Sequence, residues 1–284
     1  DIDLFVFPYD WRIDINISSN ELKNKINSVI SQTGNSKVDI IAHSMGGLLS
    51  KQYILDNGSN SINKLIFIGT PHLGAPKAAK TLLFGDDMGV GLIFSFLSID
   101  RIKSISQNMP AIYQLLPSEE YFTQIGTYYS ELGSTGYDYF TMNQYLVDSG
   151  LNSMLINNAE EFHSSLLDNF DTSGLDAYNI NGCNTPTMST IIKRTDFNDE
   201  YSALILAGDG TVPLGSSKGI DLSNEREYYF KDIDHAVMPS ESGIKELVTQ
   251  IITDATITLS SSATQDSSEC VIAGKIVSIH SPVN

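Results

Sequence analysis

The chain has 284 residues and a mass of 31.1 kDa, with 41% apolar and 18% charged residues, which is enough for one sizeable core and too apolar for a disordered chain. Its 34 acidic residues against 17 basic ones give a formal charge of −17, a surface that repels phosphate backbones and excludes nucleic acid as a partner. No stretch reaches the roughly 18 uninterrupted apolar residues of a membrane span, the run at 90–99 being too short, and no positively charged, then apolar leader pattern opens the chain.

Residues 1–7, Asp-Ile-Asp-Leu-Phe-Val-Phe, are an apolar, β-rich run ended by Pro8 and predict a buried parallel strand. A helix follows, capped by Ser19 or Asn20, with Leu22, Ile26, Val29 and Ile30 on one face and Gly34-Asn35 as its stop. Residues 38–42 predict a second strand, 43–47 a turn, and the stretch through Leu55 a second helix; residues 64–70 predict a third strand. Strands that alternate with helices in this way predict a parallel sheet with right-handed crossovers.

From about 78 to 175 the strand signal lapses into helical runs rich in aromatic residues, among them Tyr128, Tyr129, Tyr137, Tyr139 and Phe140, which predict a mainly helical cap over the sheet. Such a cap can serve as an apolar lid, or its aromatics can be its own core. Strand-like runs return at 177–181, 188–192, 203–207 and 226–230, and a closing helix at 242–254 carries Ile244, Leu247, Val248, Ile251 and Ile252 on one face. The predicted fold class is α/β: a mostly parallel sheet with helices on both faces and a helical cap insertion, all within residues 1–254. Residues 255–284 read as a linker entering a β-rich module. Cys183 and Cys270 have no metal-ligand spacing, so no metal site is expected; the preferred reading is two separate buried thiols, with a disulfide as the alternative. No cofactor is expected.

The strongest chemical signal is Ala42-His43-Ser44-Met45-Gly46-Gly47 between a buried strand and a helix, the setting of a nucleophile elbow. Small residues two before and two after the serine, Ala42 and Gly46, let strand and helix approach. Ser44 is then the nucleophile, and the Met45 N–H at the helix start is an oxyanion donor. The serine needs a base. Of five histidines, His43 adjoins the serine and should point away, His163 lies in the cap, and His280 lies in the tail. His72 follows the third strand and reads first as a loop residue, although it can line the site. His235, after the last strand and ahead of the closing helix, is the base. The order Ser, Asp, His then selects Asp209, on a glycine-flanked loop after a strand, over Asp196, Asp199, Asp221 and Asp234.

Four stretches, Pro8-Tyr9-Asp10-Trp11-Arg12, the elbow, Gly69-Thr70-Pro71-His72-Leu73-Gly74-Ala75-Pro76 and Gly208-Asp209-Gly210-Thr211-Val212-Pro213, fall at matching places in the strand order. With them the chain resembles the lecithin:cholesterol acyltransferase-like group of α/β-hydrolases. The resemblance implies a Ser44–His235–Asp209 triad that cleaves or transfers acyl esters, a lipid or other acyl-ester substrate, and Tyr9, Trp11 and His72 near that substrate. It also implies peripheral contact with a lipid surface. Such folds carry an earlier strand and a loop that gives the second oxyanion donor, and no stretch of this chain supplies it; a chain cut at both ends accounts for this and for the unfinished look of residues 274–283, the alternatives being a donor from elsewhere in the chain or a non-catalytic binding protein that keeps the fold. A secreted or cell-surface bacterial setting suits the acidic, Asn/Ser/Thr-rich composition.

Overall fold

A computed structural model describes residues 3–85, 98–194, 201–272 and 275–279. Most of the apolar run at 90–99, together with Asp196, Asp199 and His280, lies outside the described residues. The elements begin with α1 (Ile15–Thr33), β1 (Val38–His43), α2 (Met45–Asn57) and β2 (Ile62–Ile68). The cap follows as α3 (Pro76–Phe84), α4 (Ile99–Ser106), α5 (Pro110–Gln114), α6 (Glu119–Gln124), β3 (Tyr129–Glu131), α7 (Tyr139–Asp148) and α8 (Ser153–Phe162). Then come β4 (Asp176–Cys183), β5 (Thr185–Lys193), β6 (Tyr201–Gly208), α9 (Leu214–Ser217), β7 (Glu227–Lys231), α10 (Ser242–Ile252), β8 (Ala263–Thr264) and β9 (Lys275–Ile279).

β1, β2, β4 and β7 pair in parallel in that order, and β8 closes the sheet antiparallel to β7. The apolar β2 explains why helices cover both faces. Leu65 and Phe67 pack with Ile15, Leu22 and Leu48 of α1 and α2, while Ile66 and Ile68 pack on the opposite side with Ile244, Leu247 and Ile251 of α10. β4 leads into a second sheet through Asn184, whose φ of 65° turns the chain, and this sheet is ordered β3, β5, β6, β9. The cap packs against it around Tyr113, Tyr121, Tyr128 and Tyr129, none more than 1% exposed, so these aromatics are the core of the cap and do not line a channel.

Four expectations are corrected. Residues 3–7 have no strand partner among the described residues; their apolar pattern is met by side chains instead, Phe7 packing on the α1–α2 core and Phe5 lying under Lys25, while Leu4 and Val6 face outward. Helix α1 starts at Ile15 and not at Ser19: Asp14 caps it by accepting from the Asn16 N–H at 2.9 Å, and Ile15 extends the buried face by a turn. The tail, expected as a linker entering a β-rich module, does carry strands, but they join the sheets already described, β8 one and β9 the other. That return brings Cys270 to the end of β4, where it forms a disulfide with Cys183 at a Cα–Cα distance of 5.5 Å, in place of two separate thiols. Among the described residues no helix is long and apolar enough to cross a membrane.

Candidate active site

β1 delivers Ser44 to the carboxyl end of the parallel sheet. The Ser44 N–H donates to the carbonyl of Ile68 on β2 at 2.9 Å, and the residue holds a φ of 56°, a left-handed conformation that a non-glycine residue adopts only where its surroundings impose it. The chain turns at once into α2, so the Met45 N–H belongs to the first turn, whose amides have no partner within the helix. The tightest approach is not where the sequence places it. A Cβ on Gly46 would make ordinary contact with Ala42 and the Tyr9 hydroxyl, whereas one on Gly47 would overlap the Thr70 side chain.

Asp209 follows β6 and His235 follows β7, so the antiparallel β5–β6 pair and the parallel sheet converge here. The Asp209 carboxylate, 1% exposed, accepts from the amides of Thr211 at 3.0 Å and Val212 at 2.7 Å through Oδ1. Its Oδ2 lies 2.7 Å from His235 Nδ1. Since a carboxylate accepts, Nδ1 carries the proton and Nε2 is left as an acceptor, 2.8 Å from Ser44 Oγ. The His235 N–H also donates to the Asp209 carbonyl at 2.7 Å, so backbone and side chain fix the pair together.

Gly69 makes room for this pair. At a φ of 56° its absent Cβ would stand 3.0 Å from Met238 Sδ, 3.1 Å from Asp209 Oδ2 and 3.2 Å from His235 Nδ1. Neither Gly69 nor Gly47 is singled out by the sequence; the signal for Gly69 is a glycine one residue past a buried strand, and Gly47, inside the first turn of α2, has none of that kind. The sequence also sets His43 aside, yet His43 Nε2 lies 3.0 Å from the His235 carbonyl oxygen, with the two rings 4.7 Å apart. Burial and the neighbouring His235 charge hold His43 down at about 4, so it is neutral at ordinary pH.

The three residues expected near substrate separate. Tyr9 stacks on Phe7 with its hydroxyl beside Gly46 of the elbow, and burial pushes its hydroxyl up to about 12. Trp11 is half-buried and packs against both the cap and the α1–α2 core. Neighbouring Asp10 and Arg12 form a bidentate ion pair at 2.8 and 2.7 Å on the surface. His72 is corrected: with no exposed surface it cannot line a substrate channel. The Thr70–His72 turn folds its ring edge-on against Phe67, near Lys51 and Asn179, and burial holds it well below the usual imidazole range.

A serine at a sharp strand-to-helix turn, hydrogen-bonded to a histidine and through it to an aspartate along the carboxyl edge of a doubly wound sheet, defines the α/β-hydrolase fold. The family model for lecithin:cholesterol acyltransferase matches residues 1–163, more than half of the chain, and the protein belongs to that family. The chain is 33% identical over 127 residues to Phospholipase A(1) LCAT3 of Arabidopsis thaliana, covering 42% of this chain and 28% of that protein. It is 25% identical over 223 residues to the Phosphatidylcholine-sterol acyltransferase of Gallus gallus, covering 74% and 51%. The chain thus spans about half or less of the length of these curated relatives. Solved structures with a similar course include a lipase from Bacillus licheniformis, with a TM-score of 0.44 at 12% identity over 84% of this chain and 75% of that one.

Proposed function

We propose that the protein is a serine hydrolase of acyl esters, with lipid esters as its substrates. The observation that carries this reading is the unbroken relay from Ser44 Oγ through His235 to Asp209 at 2.8 and 2.7 Å. Ser44 Oγ attacks the ester carbonyl carbon while His235 Nε2 takes the hydroxyl proton. Asp209 holds the imidazole in the accepting tautomer and balances the imidazolium. The Met45 N–H, with the positive end of α2 behind it, donates to the oxyanion. His235 returns the proton to the leaving alcohol, and the acyl-Ser44 ester is then cleaved by water that His235 activates.

Transfer of the acyl group to an alcohol is a second reading, favoured by the family and by the 74% of this chain that aligns with a sterol acyltransferase. It runs through the same acyl-Ser44 and differs only in the acceptor. The Cys183–Cys270 disulfide supports a secreted or cell-surface setting, where oxidised cysteines persist.

The test is hydrolysis of p-nitrophenyl esters of short and long acyl chains, and of phosphatidylcholine vesicles with and without an added long-chain alcohol, by the parent chain and by Ser44→Ala. Turnover by the parent and a loss of at least about 10³-fold in the variant is the expected result. Ester formed on the added alcohol identifies transfer. Equal rates for parent and variant overturn the role of Ser44.

A further inference from the structure

We infer that His43 is a positioning residue for His235: its ring N–H, donated to the His235 carbonyl, and its ring face, laid against the imidazole, keep Nε2 of His235 aimed at Ser44. This rests on the hydrolase reading and adds a fourth side chain to it.

The short 3₁₀ stretch His235–Ser240 offers His235 few anchors of its own. Its ring is 12% exposed and is held through Nδ1 by Asp209, and its N–H by the Asp209 carbonyl. One carboxylate contact leaves the ring free to swing about the Nδ1–Oδ2 axis, and such a swing moves Nε2 away from the serine. His43 closes that freedom from the other side. It sits on the last residue of β1, next to Ser44, so one strand end carries both the nucleophile and the brace for its base. Its Nε2 lies 3.0 Å from the His235 carbonyl oxygen, which only accepts, so His43 is the Nε2–H tautomer. The rings stand 4.7 Å apart and tilted by 37°, which presents the His43 π-face toward the imidazole that becomes cationic during proton transfer. The titratable groups that act on His43 are His235 and Asp209, and burial opposes its protonation, so a second positive charge does not form beside the imidazolium.

The contact is specific in a way that packing alone is not. A phenylalanine keeps the ring and its volume but loses the donor, whereas a glutamine loses the ring and keeps an N–H at similar reach. The experiment compares the parent chain with His43→Phe and His43→Gln in p-nitrophenyl ester hydrolysis, with thermal midpoints to confirm folding. His43→Phe should lose about tenfold in kcat with KM within twofold, as expected for one neutral hydrogen bond that orients the base, and His43→Gln should recover most of that loss. Equal kcat in parent and His43→Phe, or a His43→Gln as impaired as His43→Phe, overturns the inference. A second readout is independent of turnover: the downfield proton resonance of His235 Nδ1–H should weaken or shift in His43→Phe and persist in His43→Gln. An unchanged resonance in His43→Phe overturns the inference even where no ester is cleaved, while absent turnover with that resonance altered counts against the hydrolase reading alone.

Discussion

Two buried polar groups flank helix α2, and they are built on opposite principles. At its N-terminus Ser44, His235 and Asp209 form a closed chain in which each reacting nitrogen and oxygen has a named partner, and both carboxylate oxygens are occupied. Farther along the same helix, Lys51 is fully buried with no hydrogen-bond partner for its ammonium among the described residues; the ammonium lies over the face of Phe170, 5.5 Å from the ring centroid, and feels the Asp168 carboxylate. His72, whose imidazole feels the Lys51 charge, has no aligned partner for either ring nitrogen among the described residues, and the same holds for Thr70 Oγ1, Asn179 Oδ1 and Asn181 Nδ2. The lesson is that burial does not define a site. Burial strengthens a hydrogen bond that is complete, and it makes a polar group that lacks one costly.

The largest effect is expected at Asp209. Asp209→Asn keeps the volume but offers Nδ1 an amide in place of a carboxylate, so kcat should fall by about 10³- to 10⁴-fold with a near-parental thermal midpoint. A loss below tenfold would mean that the closed chain is not what orients His235.

Lys51 sharpens the other side. Burial holds its ammonium down to about 8, against the ordinary lysine value near 10.5. Below pH 8 folded and unfolded chains are both protonated, and the buried charge costs about 3 kcal/mol. Between pH 8 and 10.5 the unfolded chain binds more protons than the folded one, so this cost disappears as pH rises. Lys51→Met should therefore be more stable than the parent at pH 7 by about 2–3 kcal/mol, and chemical denaturation should show the gap closing by pH 10.5. A pH-independent gap would show that the ammonium is satisfied in solution.

Gly69 gives the smallest expected effect and joins the two regions. Gly69→Ala forces a left-handed φ on a residue with a Cβ and presses that Cβ on His235 and Asp209. The expected outcome is a loss of about 1–2 kcal/mol in stability and about tenfold in kcat. A normal kcat together with lowered stability would place the strain in the backbone alone.

The alternation of buried strands with helices, the closing helix face and the strand-to-helix turn at Ser44 were legible in the sequence, which also put forward Asp209 and His235, the side chains that the fold brings into one hydrogen-bonded chain with Ser44. Periodicity and turn chemistry are local, and a strand-to-helix turn with small flanking residues has few uses. Side chains that act across the chain were not legible. His43 is adjacent to Ser44 but bonds a carbonyl 192 positions away. Gly69 is needed because of atoms on two other segments, the Asp209 loop and the stretch that carries His235 and Met238. His72 stands in a stretch that resembles a substrate-lining loop, yet a turn of two residues buries it.

The tertiary structure also decided where apolar runs go when no strand partner meets them, as at residues 3–7, and which cysteines meet. The Cys183–Cys270 bond depends on β8 joining the edge of β7, a pairing between residues far apart in sequence. By itself the sequence determined most of the elements and the motifs they carry, because propensity, hydrophobic period and motif act over a few residues. Distances, burial and the neighbours of His43, Lys51 and His72 were decided only when segments from opposite ends of the chain packed together, since hydrogen bonding and desolvation depend on neighbours in space.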